Sequence, residues 1–365
     1  MEGNVRNLFF ALLLVIVLAP RVAAAEDNKT AWAEKIKVYG DFRYRHEMID
    51  EEGKDTRTRH RIRARIGVAV ALSEEVNLDF RLATGGTDPV STNQSLGEGF
   101  STKTFDLDYA MFTYSPVGFK GFSILGGKVK SPYLVPGGSQ LVWDGDLTPE
   151  GLAIKYAPSI GKATLTVALG TFWVEERKAA ADELLTGAQV SVKVPFEKGA
   201  SLTLGVSYYS YSGIQGRAPT VGASGNSVEG SWNYLFGYKI AEGLAEFAFS
   251  VKEFPLMVFG DYMSNSEADD NKKAYMVGFR VNKVRDPGSW EVTYNYRRVE
   301  KDAVLGQFCD SDFIGGGTNG TGHTVGLTYQ VSKAASFGIT YMLDKKGVTS
   351  GTDYKRLQVD VNFKF

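Results

Sequence analysis

Arg57, Arg59, Arg61, Arg63 and Arg65 stand at alternate positions of the segment RTRHRIRARIGVAVAL, residues 57–72 of a 365-residue chain. Guanidinium groups meet phosphate and carboxylate through paired N–H donors, so a row of them can steer or bind anions. Acidic counterparts follow in a turn-rich stretch, where Asp144 and Asp146 flank Gly145 and Glu150 closes the segment. Other chemistry has little support. His46, His60 and His323 are scattered, and none has a Ser or Asp partner at a telling spacing. Cys309 is the sole cysteine, which excludes an intrachain disulfide and a cysteine-rich metal cage. No catalytic set, metal or cofactor is therefore expected.

The elements that carry these charges read as strands. In residues 57–72 the second parity holds Thr58, His60, Ile62, Ala64, Ile66, Val68, Val70 and Leu72. A period of two is that of a strand, because successive side chains point to opposite faces. The pattern recurs in residues 36–48, where Arg43 and Arg45 share a face with Asp41 and Glu47, against Ile36, Val38, Phe42 and Tyr44. Arg81 lies opposite Phe80 and Leu82, while Asp106 and Asp108 oppose Phe105, Leu107, Tyr109 and Met111. The final segment sets Arg356, Gln358, Asp360, Asn362 and Lys364 against Leu357, Val359, Val361, Phe363 and Phe365.

Sixteen such segments are predicted along the chain. Short connections at 73–75, 116–121, 158–161, 196–200, 253–255, 285–289 and 332–336 alternate with long ones at 49–56, 86–103, 131–149, 175–184, 212–241, 266–272, 301–322 and 344–353. Two places are irregular. A helical turn is expected near 179–185. Alternation breaks at 241–243, and a strand from about 242 to 252 after a long loop is favoured over a bulged strand or a hairpin within the loop.

The chain opens with Arg6, an apolar run over 8–18 and Ala23-Ala24-Ala25, the layout of a cleaved export signal over 1–25. A polar lead-in is expected at 26–34 and a barrel domain at 35–365. No later apolar run could form a membrane helix. The formal net charge is −1, which is no footprint for nucleic acid. Lipid offers no hydrogen bonds, so a sheet within it must close on itself. An apolar parity nearly free of charge therefore suits the outside of a barrel, and the ionic parity suits a water-filled lumen. Trp173, Tyr208, Trp290, Tyr294, Tyr329 and Tyr341 fall on the outward parity as an interfacial girdle would.

The stretches GGKVKSPYLVPGGSQLVWDGDLTPEGLAIKY (126–156) and PLMVFGDY (255–262), with the terminal Phe365, resemble bacterial outer-membrane porins. The resemblance implies an all-β, antiparallel up-and-down transmembrane barrel of sixteen strands in a Gram-negative outer membrane, assembled as a homotrimer. It also implies that the loop after the fifth strand, about 131–149, folds inward as a constriction. The expectation is a passive channel for small hydrophilic solutes and ions, not an enzyme. Its pore lining would comprise Arg43, Arg45, Arg57, Arg59, Arg61, Arg63, Arg65, Arg81, Arg356 and Lys364 opposite Asp106, Asp108, Asp144, Asp146 and Glu150. A substrate-specific channel for phosphate-like anions or other small solutes is the alternative.

Overall fold

A computed structural model describes residues 34–365; the expected export signal and nearly all of the lead-in lie outside the described residues. Sixteen long strands follow one another. The first eight are Ile36–Glu51, Arg57–Ala71, Val76–Thr84, Phe105–Tyr114, Phe122–Lys128, Glu150–Tyr156, Ala163–Glu175 and Glu183–Pro195. The rest are Ser201–Ser212, Tyr238–Val251, Phe254–Asn265, Lys273–Asn282, Trp290–Val299, Gly320–Gln330, Ala335–Lys346 and Thr352–Lys364. Each pairs antiparallel with its neighbours in sequence, and the last returns to the first from Asp41 opposite Lys364 to Glu51 opposite Tyr354. The sheet is a closed barrel without free edges, as burial in hydrocarbon demands.

Its outer face is a continuous apolar band. Tyr44, Leu82, Leu169, Val190, Val206, Val258, Val277 and Leu327 are all exposed there. Such a band is far larger than the scattered apolar patches that water-soluble monomers present. The inner face carries the ions and a second, dry core. Phe172, Tyr209, Tyr211, Tyr238 and Ile240 on the inner wall pack with Trp143, Leu305 and Phe313 from loops folded into the barrel.

Those loops account for the main departures from expectation. The tenth strand starts at Tyr238, ahead of the expected position, and pairs in unbroken register from Tyr238 opposite Tyr211 to Ala248 opposite Ser201. There is no bulge. Tyr238 and Ile240 face inward and are buried, so the apparent break in alternation marks a dry patch of lumen wall. The loop before it contains a hairpin of its own, Val228–Glu229 against Asn233–Tyr234. A real bulge occurs elsewhere. The register of the third and fourth strands shifts between Arg81 and Leu82, leaving Asp108 unpaired in the ladder. It turns Tyr109 and Met111 inward, where both are buried, instead of outward with Leu107. Residues 176–182 form turns and no helix.

Candidate functional site

The arginine strand is where the sequence places it, and its charged parity faces the lumen. The first strand lies on one side of it and supplies the closest acids. Asp41 accepts from Arg63 Nη2 at 2.9 Å and from Arg65 Nε at 2.8 Å. Glu47 has no exposed surface and accepts from Arg59, Arg356 and Gln358. Arg45 holds Asp360 through two parallel bonds of 2.7 and 2.8 Å, the planar fork that makes arginine–carboxylate pairs strong. Arg45 also reaches Asp312 at 3.1 Å, and Arg356 reaches the same carboxylate at 2.7 Å. The result is a continuous ionic sheet on the inner surface of the first, second and last strands.

Loops of residues 129–149 and 300–319 close over this wall, with the segment 91–93 beside them and a further loop bracing the second. The loop of residues 129–149 crosses the interior and is anchored on the opposite side. There Leu134 exchanges bonds of 2.7 and 2.9 Å with Gln189, Gly137 N–H donates to Glu246 at 2.6 Å, and Ser139 Oγ donates to Asp261 at 2.6 Å. Gly137 has φ +57 and lies against the Phe259 ring, a contact that leaves no room for a side chain. Removing the Ser139 hydroxyl is expected to cost the anchor about 1–3 kcal/mol, the penalty for leaving a buried acceptor without its donor. Single-channel recordings of Ser139→Ala should show added open-channel noise; a trace as quiet as that of the parent chain would count against this anchor.

The same loop meets residues 300–319. Asp144 N–H donates to Phe308 O at 2.9 Å, Asp310 N–H to Gln140 O at 3.1 Å, and Ser311 N–H to Asp144 Oδ2 at 2.9 Å. Asn226, from the loop between the ninth and tenth strands, braces this second loop. Its Nδ2 donates to Lys301 O and Val304 O, and its Oδ1 accepts from Gly306 N–H. Between these loops and the wall lies a cavity of about 310 Å³, lined among others by Arg43, Arg45, Arg63, Arg65, Asp144, Asp146, Asp310 and Asp312.

The electrostatics of the loop acids differ. Burial alone would raise the Asp312 carboxyl, but the Arg356 and Arg45 guanidiniums hold it well below the usual carboxylate range. Asp144 has no cationic partner among the described residues. Burial, with the Asp310 and Asp146 carboxylates adding to it, pushes its pKa up to about 8 against two backbone N–H donors. Asp146 pairs with Arg65 at 3.4 Å and accepts from the Thr92 hydroxyl at 3.0 Å.

Several expected site residues lie elsewhere. Glu150 is exposed, pairs with Lys128 at 3.0 Å and shares its parity with Leu152 and Ile154, so it faces outward and not into the lumen. Arg57 is exposed at the start of its strand, and Lys364 is exposed at the end of the last strand. Asp106 is exposed and meets no ion-pair partner among the described residues. Arg81 and Asp108 bind each other, with the guanidinium 4.5 Å from the Tyr109 ring centre. They form a separate cluster, displaced by the bulge. Sequence reasoning missed Asp310, Asp312, Asp360, Ser91 and Asn93. The Asp-Ser-Asp of 310–312 repeats the Asp-Gly-Asp of 144–146, a signal that could have found the second acidic loop.

Solved structures with this architecture include OprB of Pseudomonas putida, with TM-score 0.62 and 11% identity over 92% of this chain and 96% of that one. They also include OmpF of Salmonella typhi in complex with daunomycin, with TM-score 0.54 and 13% identity over 90% and 97%. A triple mutant of the Rhodopseudomonas blastica porin has TM-score 0.52 and 12% identity over 90% and 100%. At these identities the likeness establishes the fold alone. Comparison with curated protein sequences found no match. The sequence profile described as Putative porin matches residues 49–235 and 227–365, nearly all of the closed barrel, and the chain belongs to that family of outer-membrane β-barrel channels.

Proposed function

We propose that the protein passes small hydrophilic solutes and ions passively across a Gram-negative outer membrane, through the gap between the arginine wall and the two acidic loops. The observation that carries this is the polar cavity inside a closed barrel, with guanidiniums from the first two strands on one side and Asp144, Asp146, Asp310 and Asp312 on the other. Opposed charges of this kind set up a transverse field that orders water and sorts solutes by charge and dipole. Several loops fixed in the lumen favour a narrow, selective passage over a wide one. Assembly as a homotrimer is supported by the family likeness alone. Purified protein in planar bilayers is expected to give discrete, ohmic conductance steps in KCl. A barrel that inserts without conducting would end this reading.

Asp144 adds a pH dependence. With its pKa raised from the usual 3.8 to about 8 by burial and the neighbouring carboxylates, the folded protein holds this proton where the unfolded chain has lost it. Its contribution to stability is therefore full below about pH 4 and is lost as the pH rises through 8. Above pH 8 the constriction gains a negative charge. The reversal potential under a KCl gradient should move toward cation preference between pH 7 and 9, and Asp144→Asn should abolish the movement. An unaltered pH profile in that variant would exclude Asp144 as its source.

A further inference from the structure

The ion pairs of the wall are unevenly distributed. Arg45, Arg59, Arg63, Arg65 and Arg356 each meet at least one carboxylate. Arg43 and Arg61 meet none among the described residues, although they stand among the others on the same inward face. Neutral groups hold them instead. Arg43 Nη2 donates to Asn93 Oδ1 at 2.5 Å, and Arg61 Nη2 donates to Ser91 Oγ at 3.3 Å. Asn93 Nδ2 in turn donates to Ser91 Oγ at 3.3 Å, so one short segment between the third and fourth strands bridges both guanidiniums. The Nε–H of Arg43 and that of Arg61 are shielded from solvent and have no acceptor. Arg43 and Asn93 also line the cavity.

Two guanidiniums left uncompensated beside others of like charge are unfavourable unless an anion completes the set. Their planar forks match oxyanions, and the groups that hold them, the Asn93 amide oxygen and the Ser91 hydroxyl, are neutral acceptors that leave both charges in place, while Asp146 beside them is taken up by Arg65 and Thr92. We propose that Arg43 and Arg61, positioned by Ser91 and Asn93, form a binding site for the phosphate or carboxylate group of a permeating solute. This rests on the channel reading for how a solute arrives, but not for whether the site binds.

Equilibrium dialysis of labelled inorganic phosphate against the detergent-solubilised full-length protein tests it. The wild-type chain should bind phosphate saturably, and excess acetate should displace it. Arg43→Gln/Arg61→Gln should weaken binding by at least about tenfold, whereas Arg57→Gln at the exposed strand start should not. Arg43→Lys keeps the charge but loses the fork, and should fall between the two, which gives a reading should the double variant fail to fold. No saturable phosphate binding by the wild type, or equal binding by wild type and a folded double variant, would overturn the proposal. Phosphate binding by a barrel that never conducts would remove the channel reading and leave this site standing.

Discussion

Glu47→Gln is expected to destabilise the barrel by about 3–5 kcal/mol, the usual consequence of removing one partner from a buried ion cluster. Glu47 is fully buried and serves three donors: Arg59 and Arg356 from the strands on either side, and Gln358. The amide keeps the shape and loses the charge, so two enclosed guanidiniums lose their compensation at once. Asp312 would still hold Arg356 at 2.7 Å, which places the expected loss inside that range instead of above it. Urea unfolding in detergent micelles reads the effect. Adding Arg356→Gln to the Glu47 variant should recover part of the loss, because it removes one stranded charge. A double variant no more stable than the single one would show that the cluster is held by packing and not by charge.

The second large effect concerns the other face of the sheet. Val190 lies in mid-strand between Val167 and Val206, and it is 44% exposed on the outer surface. Val190→Arg should cost about 2–4 kcal/mol if that surface meets hydrocarbon. Thr328, on the inner face opposite Glu291 and Gly338, provides the control. Thr328→Arg should stay within about 0.5 kcal/mol, as most substitutions in a wet environment do. Equal tolerance at both positions would mean that the apolar parity does not meet lipid.

That distinction was already legible in the chain. Alternation located every long strand, and the sorting of connections into short and long gave their order. The arginine wall was legible for the same reason: five identical charges on one parity cannot face hydrocarbon. The interior was harder to read, because the two-face rule assumes that inside means wet. Phe172, on the inward parity beside Trp173, faces a dry core built from loops, and so do Tyr238 and Ile240, whose hydrophobicity on that parity hides the start of the tenth strand in the loop expected over 212–241. Tyr109 and Met111 misled differently. A single extra residue at Asp108 reverses every side chain that follows it. The charge of Glu150 and its nearness to the acidic loop suggest a lumenal place, but its parity with Leu152 and Ile154 turns it outward. Asp310 and Asp312 could not be placed by periodicity, since loop residues have no register, and a repeated Asp-x-Asp carries meaning only once the two loops are known to meet.

The junction of the first and last strands has a consequence for biosynthesis. Arg45 with Asp360 and Glu47 with Arg356 join residues from opposite ends of the polypeptide. Contacts so distant in sequence form late. Until the final strand docks, Glu47 lacks its Arg356 partner and Arg45 lacks Asp360, and an unfinished cylinder exposes unbonded strand edges beside them. A chain cut short before Arg356 would keep only the Arg59 pair of Glu47 and the Asp312 pair of Arg45. Closure of the cylinder and neutralisation of Glu47 by Arg356 are therefore one event, since the same strand that seals the last edge brings the guanidinium to the buried carboxylate.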